Sequence, residues 1–503
     1  MSALPAADGE LSRLADAVLL PPFPGPDAPR WVLRALERGL AGVTLFGPNV
    51  VDPAQLATLT ATLRSAAQEP VIAIDEEGGD VTRLAHLTGS PYPGNAALGA
   101  VDDVQLTRTV YHALGSDLAA VGINVDLAPS VDVNTAAGNP VIGTRSFGAS
   151  TALVSRHAAA AVTGLQSAGV AACAKHFPGH GSTRDDTHHV LATIDGDVAL
   201  LRERDLPPFA AAIGAGVAAV MPGHLRVPGL TGDLPATQSA AALGGLLRGE
   251  LGFTGVIISD ALEMRAVSGR HGIADAAVRA LAAGVDLLCL GRDQDEEDYL
   301  AVRAAIAAAA GSGSLPPARL HNAAKRIARF RATLTGKPPA VGTAPGRPGD
   351  GQPVDGIGLA AARRALWLTG PPATVTNPVV IEIAPPGNIA VGSVPWGLAP
   401  WLPAGSLLRV PAGPAPQAAD IVAGALAHAS GRSVIAVVRD AHRDPGAQAV
   451  VTRLLAERPD TIVVEMGLPV WQPHARTYLA TYGASRTSGQ AAAEMLGLIA
   501  RGV

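Results

Sequence analysis

GVIISDALEM, residues 255–264, is a short apolar run that stops on a carboxylate, Asp260, before helix-forming residues resume. The same punctuation recurs up to about residue 335. PVIAIDEEGG (70–79) meets Asp75, VGINVDLAPSVDV (121–133) carries Asp132 near its end, GVAACAKHFPG (169–179) carries Lys175 and His176, and GVAAVMPGH (216–224) ends on His224. AGVTLFG (41–47) and GVDLLCLG (284–291) complete the series. Amphipathic stretches separate the runs. Leu33, Leu36 and Leu40 share one face of the first, and Leu320, Ile327 and Leu334 share one face of the last. Such alternation is the pattern of a (β/α)8 barrel or a long doubly wound sheet. Polar residues at the C-terminal ends of many different strands favour the barrel, which assembles its site from βα loops. A doubly wound sheet gathers them near one switch point.

At 503 residues the chain exceeds one ordinary domain. GKPPAVGTAPGRPGDGQPVDG (336–356) breaks the alternation and reads as a linker, being dense in Pro and Gly and nearly free of large apolar residues. Beyond it, ALWLTG, PVVIEIA, SVIAVVRDA and TIVVEMGLP read as strands of a second α/β domain, with a helix at SGQAAAEMLGLIARG. The expected organisation is a catalytic barrel over 1–335, a linker over 336–356 and a smaller α/β domain over 357–503. A net charge of −5 without a basic block argues against nucleic acid as a partner. Cys173 and Cys289 lie in apolar runs and read as buried free thiols. The N-terminal stretch has no basic segment followed by an apolar one, and no run approaches the ~20 apolar residues of a membrane helix. The expectation is a soluble, cytoplasmic protein with no membrane partner.

KHFPGHGSTRDDTHH (175–189) concentrates four of the chain's thirteen histidines. As a metal site it lacks the paired-histidine spacing of a helix, and its glycines and Pro178 oppose a preformed helical site. As a proton device it is better formed. Asp186 and His188 are two apart, so an extended segment turns them the same way. A carboxylate on one imidazole nitrogen fixes the tautomer and leaves the other nitrogen to move a proton near neutral pH. Asp260 has two readings: a side chain aimed into the barrel mouth, or a helix cap with Glu263 three residues on and Ser259 as a second candidate cap. Asp75, Arg83, Arg145, Lys175 and His176 form a set of long polar side chains suited to a hydroxyl-rich ligand, each able to bond adjacent oxygens. For Asp75 and Arg83 the plainer alternative is a structural ion pair.

These segments together resemble glycoside hydrolase family 3, and more closely its bacterial β-N-acetylglucosaminidase branch, the NagZ-like enzymes. The likeness runs in order through IDEEGGDVTRL, INVDLAPSVDVNTAAGNPVIGTRSFG, KHFPGHGSTRDDTH and LLRGELGFTGVIISDALEM, roughly residues 70–265. It implies that Asp260 is the nucleophile, His188 the acid/base and Asp186 its dyad partner. It places Asp75, Arg83, Arg145, Lys175 and His176 on sugar-binding positions, and it implies no metal and no cofactor. The second domain resembles the α/β sandwich of two-domain members. Departures are Asp80 where arginine is common, Glu76 where glutamine is frequent, no proline soon after the dyad, and MPGH in place of MTAH.

The implied activity is that of a retaining exo-β-N-acetylglucosaminidase. It would release terminal GlcNAc from peptidoglycan fragments or chito-oligosaccharides through a covalent glycosyl-Asp260 intermediate. The alternative on the same site is a phosphorylase with phosphate as acceptor, since a neutral His188 repels a phosphate dianion less than a carboxylate does. A catalytically idle sugar-binding protein is the rival of a different class, and it leaves Asp260, Asp186 and His188 together without a purpose.

Overall fold

The computed structural model describes residues 4–187, 190–194, 196–269, 271–334, 356–372, 375–385, 390–412 and 417–501. The expected linker over 336–356, Gly356 apart, lies outside the described residues, as do His188 and His189. The described residues within Met1–Glu76, Thr107–Asn139 and Ala149–Arg347 form one compact unit. Those within Glu77–Leu106, Pro140–Gly148 and Pro348–Val503 form the other.

The first unit is a barrel of parallel strands: β1 (Leu19–Leu20), β2 (Gly42–Leu45), β3 (Val71–Ile74), β4 (Val125–Asp126), β5 (Ala171–Phe177), β6 (Ala219–Pro222), β7 (Val256–Ile257) and β8 (Leu288–Cys289). β2 through β7 pair in sequence order, and β8 pairs with β1. The ring closes through a parallel bridge between Ile258 and Leu287 and a 3.3 Å backbone bond from Thr44 N–H to Pro21 O. Each strand is buried on both faces, which explains why these segments read as continuous apolar runs rather than alternating ones. Both cysteines sit in these strands as buried free thiols.

Helices clothe the strands: α1 (Leu4–Asp16), α2 (Arg30–Arg38), α3 (Pro53–Ala66), α4 (Val104–Ala120), α5 (Thr151–Ser167), α6 (Leu206–Gly214), α7 (Gly272–Ala283), α8 (Glu296–Ser312) and α9 (Pro317–Thr333). Their ends are written in the sequence. Asp52 accepts the Gln55 N–H at 2.9 Å and Pro53 opens α3, while Asp295 caps α8. Gly39 closes α2 at φ +113°, a conformation L-residues avoid. In α9 the expected apolar face is observed, with Leu320, Ile327 and the following Leu334 all buried. In α2 the buried face is Trp31, Val32, Ala35 and Leu36, and Leu33 stands only half-buried.

The second unit is built on a six-stranded sheet: β9 (Trp367–Thr369), β10 (Val379–Ala384), β11 (Leu407–Pro411), β12 (Val434–Val438), β13 (Ile462–Glu465) and β14 (Thr477–Ala480). The order is β9-β14-β13-β12-β10-β11, parallel except for β9 at the edge. Alternate residues of β10 enter two different cores. Val379, Ile381 and Ile383 pack with Val422 and Val450, whereas Val380 packs with Leu398 and Ala492. Helices α11 (Ala418–Ala427) and α12 (Pro445–Glu457) therefore cover one face, and α13 (Arg486–Met495) the other, following α10 (Ile357–Ala365). The sequence reading did not include β11 and β14.

Among the described residues no helix is long and apolar enough to cross a membrane. In the barrel unit α1 is anchored to α8 through Asp16, a fully buried carboxylate that accepts from Tyr299 Oη and from Arg303 Nε at 2.8 Å. Burial raises the pKa of Asp16, and these donors oppose that shift. Tyr299→Phe is expected to destabilise the barrel by about 1–3 kcal/mol, because a buried acceptor loses a donor. Urea denaturation followed by Trp31 fluorescence measures it, since that indole stacks on Tyr299 at 5.3 Å. An unchanged midpoint would remove the bond from any structural role.

Candidate active site

The strand-end side chains of the barrel unit meet at its C-terminal mouth. Lys175, on β5, is 2% exposed and donates from Nζ to Asp75 Oδ1 at 2.6 Å. A buried ammonium demands such a partner, because desolvation otherwise drives off its charge. Asp75 follows β3, two strands away, so the pair crosses the barrel interior.

Beside it, Asp132 collects the polar hydrogens of the KHFPGH segment. Its carboxylate accepts the His176 N–H at 3.2 Å, the His180 N–H at 2.6 Å and the Ser130 hydroxyl at 2.9 Å. His176 Nδ1 lies 2.7 Å from the second Asp132 oxygen. Burial pushes the Asp132 pKa up, but the charge and hydrogen bond of His176, with those of His180, outweigh it and hold the carboxyl below its usual range. The register of β5 shifts between Lys175 and Phe177, which re-aims consecutive side chains toward Asp75 and Asp132. His180 continues the network through Nδ1 to Thr183 Oγ1 at 2.7 Å and Nε2 to Thr187 Oγ1 at 3.2 Å. Asn139 Nδ2 donates to the His180 carbonyl at 2.8 Å. Gly181 runs so close to Val133 that a Cβ would stand 2.0 Å from its carbonyl oxygen. No larger residue fits there.

Asp260 follows β7, and its Oδ1 accepts the Ala261 N–H at 2.8 Å. The capping-box alternative does not hold. Glu263 turns instead to the Arg292 and Asp293 N–H groups at 2.7 and 2.9 Å, and the next helix, Arg265–Ser268, begins without a side-chain cap. Ser259 Oγ accepts the Cys289 N–H at 3.0 Å and ties β7 to β8. Burial pushes the Cys289 thiol up to about 12, and the charges of Asp75 and Asp260 both add to that rise. The two carboxylates follow β3 and β7, and so stand at the same C-terminal end of the parallel strands. His224 spans from Thr237 Oγ1 at 2.8 Å to the carbonyl of Ala261 at 3.0 Å and props the residue after Asp260.

Asp186 is half-buried, and its carbonyl accepts the Val190 N–H at 3.1 Å. His188 lies outside the described residues. Arg83 and Arg145 belong to the second unit. There Arg145 is clamped by Glu77 through two bonds of 2.9 and 2.7 Å, and Arg83 donates to the Ala390 carbonyl at 3.0 Å. Asp80, noted as a departure, accepts Thr144 Oγ1 at 2.6 Å and the Ala484 N–H at 2.8 Å, and pairs with Arg439 at 3.1 Å. It fastens the 77–106 and 140–148 segments to the fold of that unit.

Asp75, Lys175, His176 and Asp260 are thus grouped within the barrel unit. Asp132 and Glu77 were not singled out as site residues from the sequence. Asp132 carried a signal there, a carboxylate closing the VGINVDLAPSVDV run; Glu77 did not stand apart from its acidic neighbours. Among the described residues no cluster of three or more His, Cys, Asp or Glu side chains is arranged to hold a metal ion.

A family model for the glycosyl hydrolase family 3 N-terminal domain matches residues 31–330. Beta-hexosaminidase A of Pseudoalteromonas piscicida is 35% identical over 321 residues, covering 59% of this chain and 54% of that protein. The chain thus matches about half the length of that relative. The beta-hexosaminidase of Xylella fastidiosa (strain M23) is 38% identical over 271 residues, covering 52% of this chain and 80% of its own. Among solved structures, a glycoside hydrolase family 3 beta-N-acetylglucosaminidase from Paenibacillus sp. str. FPU-7 superposes with a TM-score of 0.86 at 34% identity, over 97% of both chains. The chain belongs to glycoside hydrolase family 3 and is of the bacterial NagZ-like kind that its KHFPGHG and ISDALEM segments resemble.

Proposed function

We propose that this protein is a retaining exo-β-N-acetylglucosaminidase that releases terminal GlcNAc from peptidoglycan fragments or chito-oligosaccharides, with water as the final acceptor. The observation that carries the reading is that Asp260 and the Asp75–Lys175 pair stand at the same end of the barrel strands, with Lys175 buried. The names of the similar proteins, β-hexosaminidases and a β-N-acetylglucosaminidase, support the choice of sugar.

In this reading Asp260 attacks the anomeric carbon as His188 protonates the departing oxygen, and His188 then takes a proton from the incoming water. Asp186 compensates the imidazolium. Asp75 and Lys175 hold neighbouring sugar hydroxyls, with His176 beside them. Arg83 and Arg145 are proposed as further sugar ligands. The role of Asp132 is to position: it holds both histidine amides and the His176 ring, so the sugar-facing loop is set before substrate arrives.

Four outcomes test this. Asp260→Ala is expected to remove turnover almost completely, and a slow 5-fluoro N-acetylglucosaminide, which keeps its 2-acetamido group, is expected to leave a covalent sugar on the Asp260 peptide by mass spectrometry. A labelled oxazoline product without that adduct would point to attack by the substrate's own acetamido group. His188→Ala is expected to cost about 10²–10⁴-fold on substrates with poor leaving groups and far less on activated aryl glycosides. Equal losses on both would dismiss His188 as the acid. Asp132→Asn is expected to lower kcat/KM by about 10²-fold through misplaced His176 and His180, and unaltered kinetics would refute its positioning role. Finally, product analysis on GlcNAc-MurNAc and chitobiose should give free GlcNAc whether or not phosphate is present. GlcNAc-1-phosphate would replace hydrolysis by phosphorolysis.

A further inference from the structure

The opposite end of the barrel, where strands begin, holds a cavity of about 340 Å³. Arg248, Arg319, Asn322, Lys325, Arg326 and Arg329 are among its lining residues. Five of the six come from α9 at spacings of three and four, so they form one stripe along that helix. Arg248 enters from the helix Ala241–Glu250 and donates to the carbonyls of Phe253 and Gly255 at 2.9 and 2.7 Å, just before β7.

One buried acid, Asp286, faces this group. Its Oδ2 accepts Arg248 Nη2 at 2.6 Å and the Ile257 N–H at 3.0 Å. Its Oδ1 accepts Arg319 Nη2 at 3.1 Å and Arg326 Nη1 at 3.0 Å. A single guanidinium balances one carboxylate; three leave a surplus of positive charge. Arg319 also donates to the carbonyls of Leu281 and Val285 at the end of α7, and helix-end carbonyls absorb part of that surplus. Nothing comparable faces Lys325 and Arg329. Both are exposed, and neither has an ion-pair partner among the described residues. The crowding is felt: Arg248 is pulled down to about 10, first by burial and then by the charges of Arg326 and Arg319, against the pull of Asp286. A barrel needs the Asp286 pairings to tie its strand entries together. It has no structural need for two further unpaired cations on the same cavity.

We propose that this cavity is a binding site for an oligophosphate, a chain of two or three linked phosphates lying between Arg248 and the Lys325–Arg329 edge of α9. The volume falls in the usual range for small-molecule sites, about 300–1,000 Å³. Planar guanidinium forks match phosphate oxygens in pairs, and Lys325 adds a mobile point charge. A lone carboxylate or orthophosphate neutralises too little of the surplus. The cavity offers no aromatic ring among its lining residues to stack a base, so the phosphate chain is what it recognises. The site lies at the strand entries, away from the Asp260 mouth, and does not rest on the catalytic reading.

Titration calorimetry of the full chain with sodium tripolyphosphate at low ionic strength tests it. The expected result is saturable binding at one equivalent. It should weaken at least about tenfold in Lys325→Glu/Arg329→Glu, whose altered side chains stand outside the Asp286 pairings. Turnover of an aryl N-acetylglucosaminide should be the same in both proteins, which keeps a folding defect apart from a lost site. ATP binding as tightly as tripolyphosphate supports recognition of the phosphate chain alone. ATP binding more than about tenfold tighter would overturn that in favour of a nucleotide. Absence of saturable binding, or equal binding by the double variant, would overturn the site itself.

Discussion

The carboxylate of Asp132 is the constraint on which the barrel mouth depends. It is completely buried, yet it accepts two backbone amides, a histidine ring and a serine hydroxyl. A buried charge is costly unless hydrogen bonds and an opposite charge replace its water, and here both are supplied by the segment it organises. The result is reciprocal. KHFPGH cannot leave the ladder of β5 in another direction without stranding Asp132, and Asp132 cannot ionise cheaply without His176 and His180. Gly181 completes the arrangement by letting the chain lie directly on Val133.

Around that point the barrel sorts its charges by end. Asp75, Lys175 and Asp260 stand toward the strand exits, with the Lys175–Asp75 pair neutralising itself. That leaves Asp260 as a carboxylate held by a neighbouring backbone amide and propped through Ala261 by His224. At this end the carboxylates outnumber the one lysine. At the strand entries the opposite holds: Asp286 is outnumbered by arginines. The same parallel geometry that collects βα loops for chemistry at one end collects αβ loops at the other.

The second unit has its own polar key. Asp80 links Thr144 with Arg439 and Ala484, so segments far apart in sequence share one fold with the six-stranded sheet. The Arg145–Glu77 clamp is set within this frame, with Asn95 holding the Arg145 carbonyl at 2.7 Å. Seen alone in the sequence, Asp80 is an odd residue where arginine is common; in the fold it is a tie between loops and sheet.

The alternation of buried runs with capped helices is a local property, and it was legible from 255–264 and its counterparts because strands buried on both faces must be uniformly apolar. The polar residue closing each run was legible for the same reason: it is the first position free to face a site. Asp260, Asp75 and Lys175 could be named this way. Their partners could not. Asp75 looks equally ready to pair with Arg83 or Lys175 until the strand order sets β5 two places from β3, and Glu263 has capping-box spacing until β8 brings the Arg292 and Asp293 amides to it. The edge strand β11 and the short inner strand β14 escaped because brief segments that are partly exposed, as β11 is, or mixed with polar residues, as β14 is, carry little periodic signal, and pairing with neighbours makes them strands. Spacing determines which side chains face one way; only the folded chain decides which of them meet, because contact across a barrel is a matter of strand order rather than of distance along the sequence.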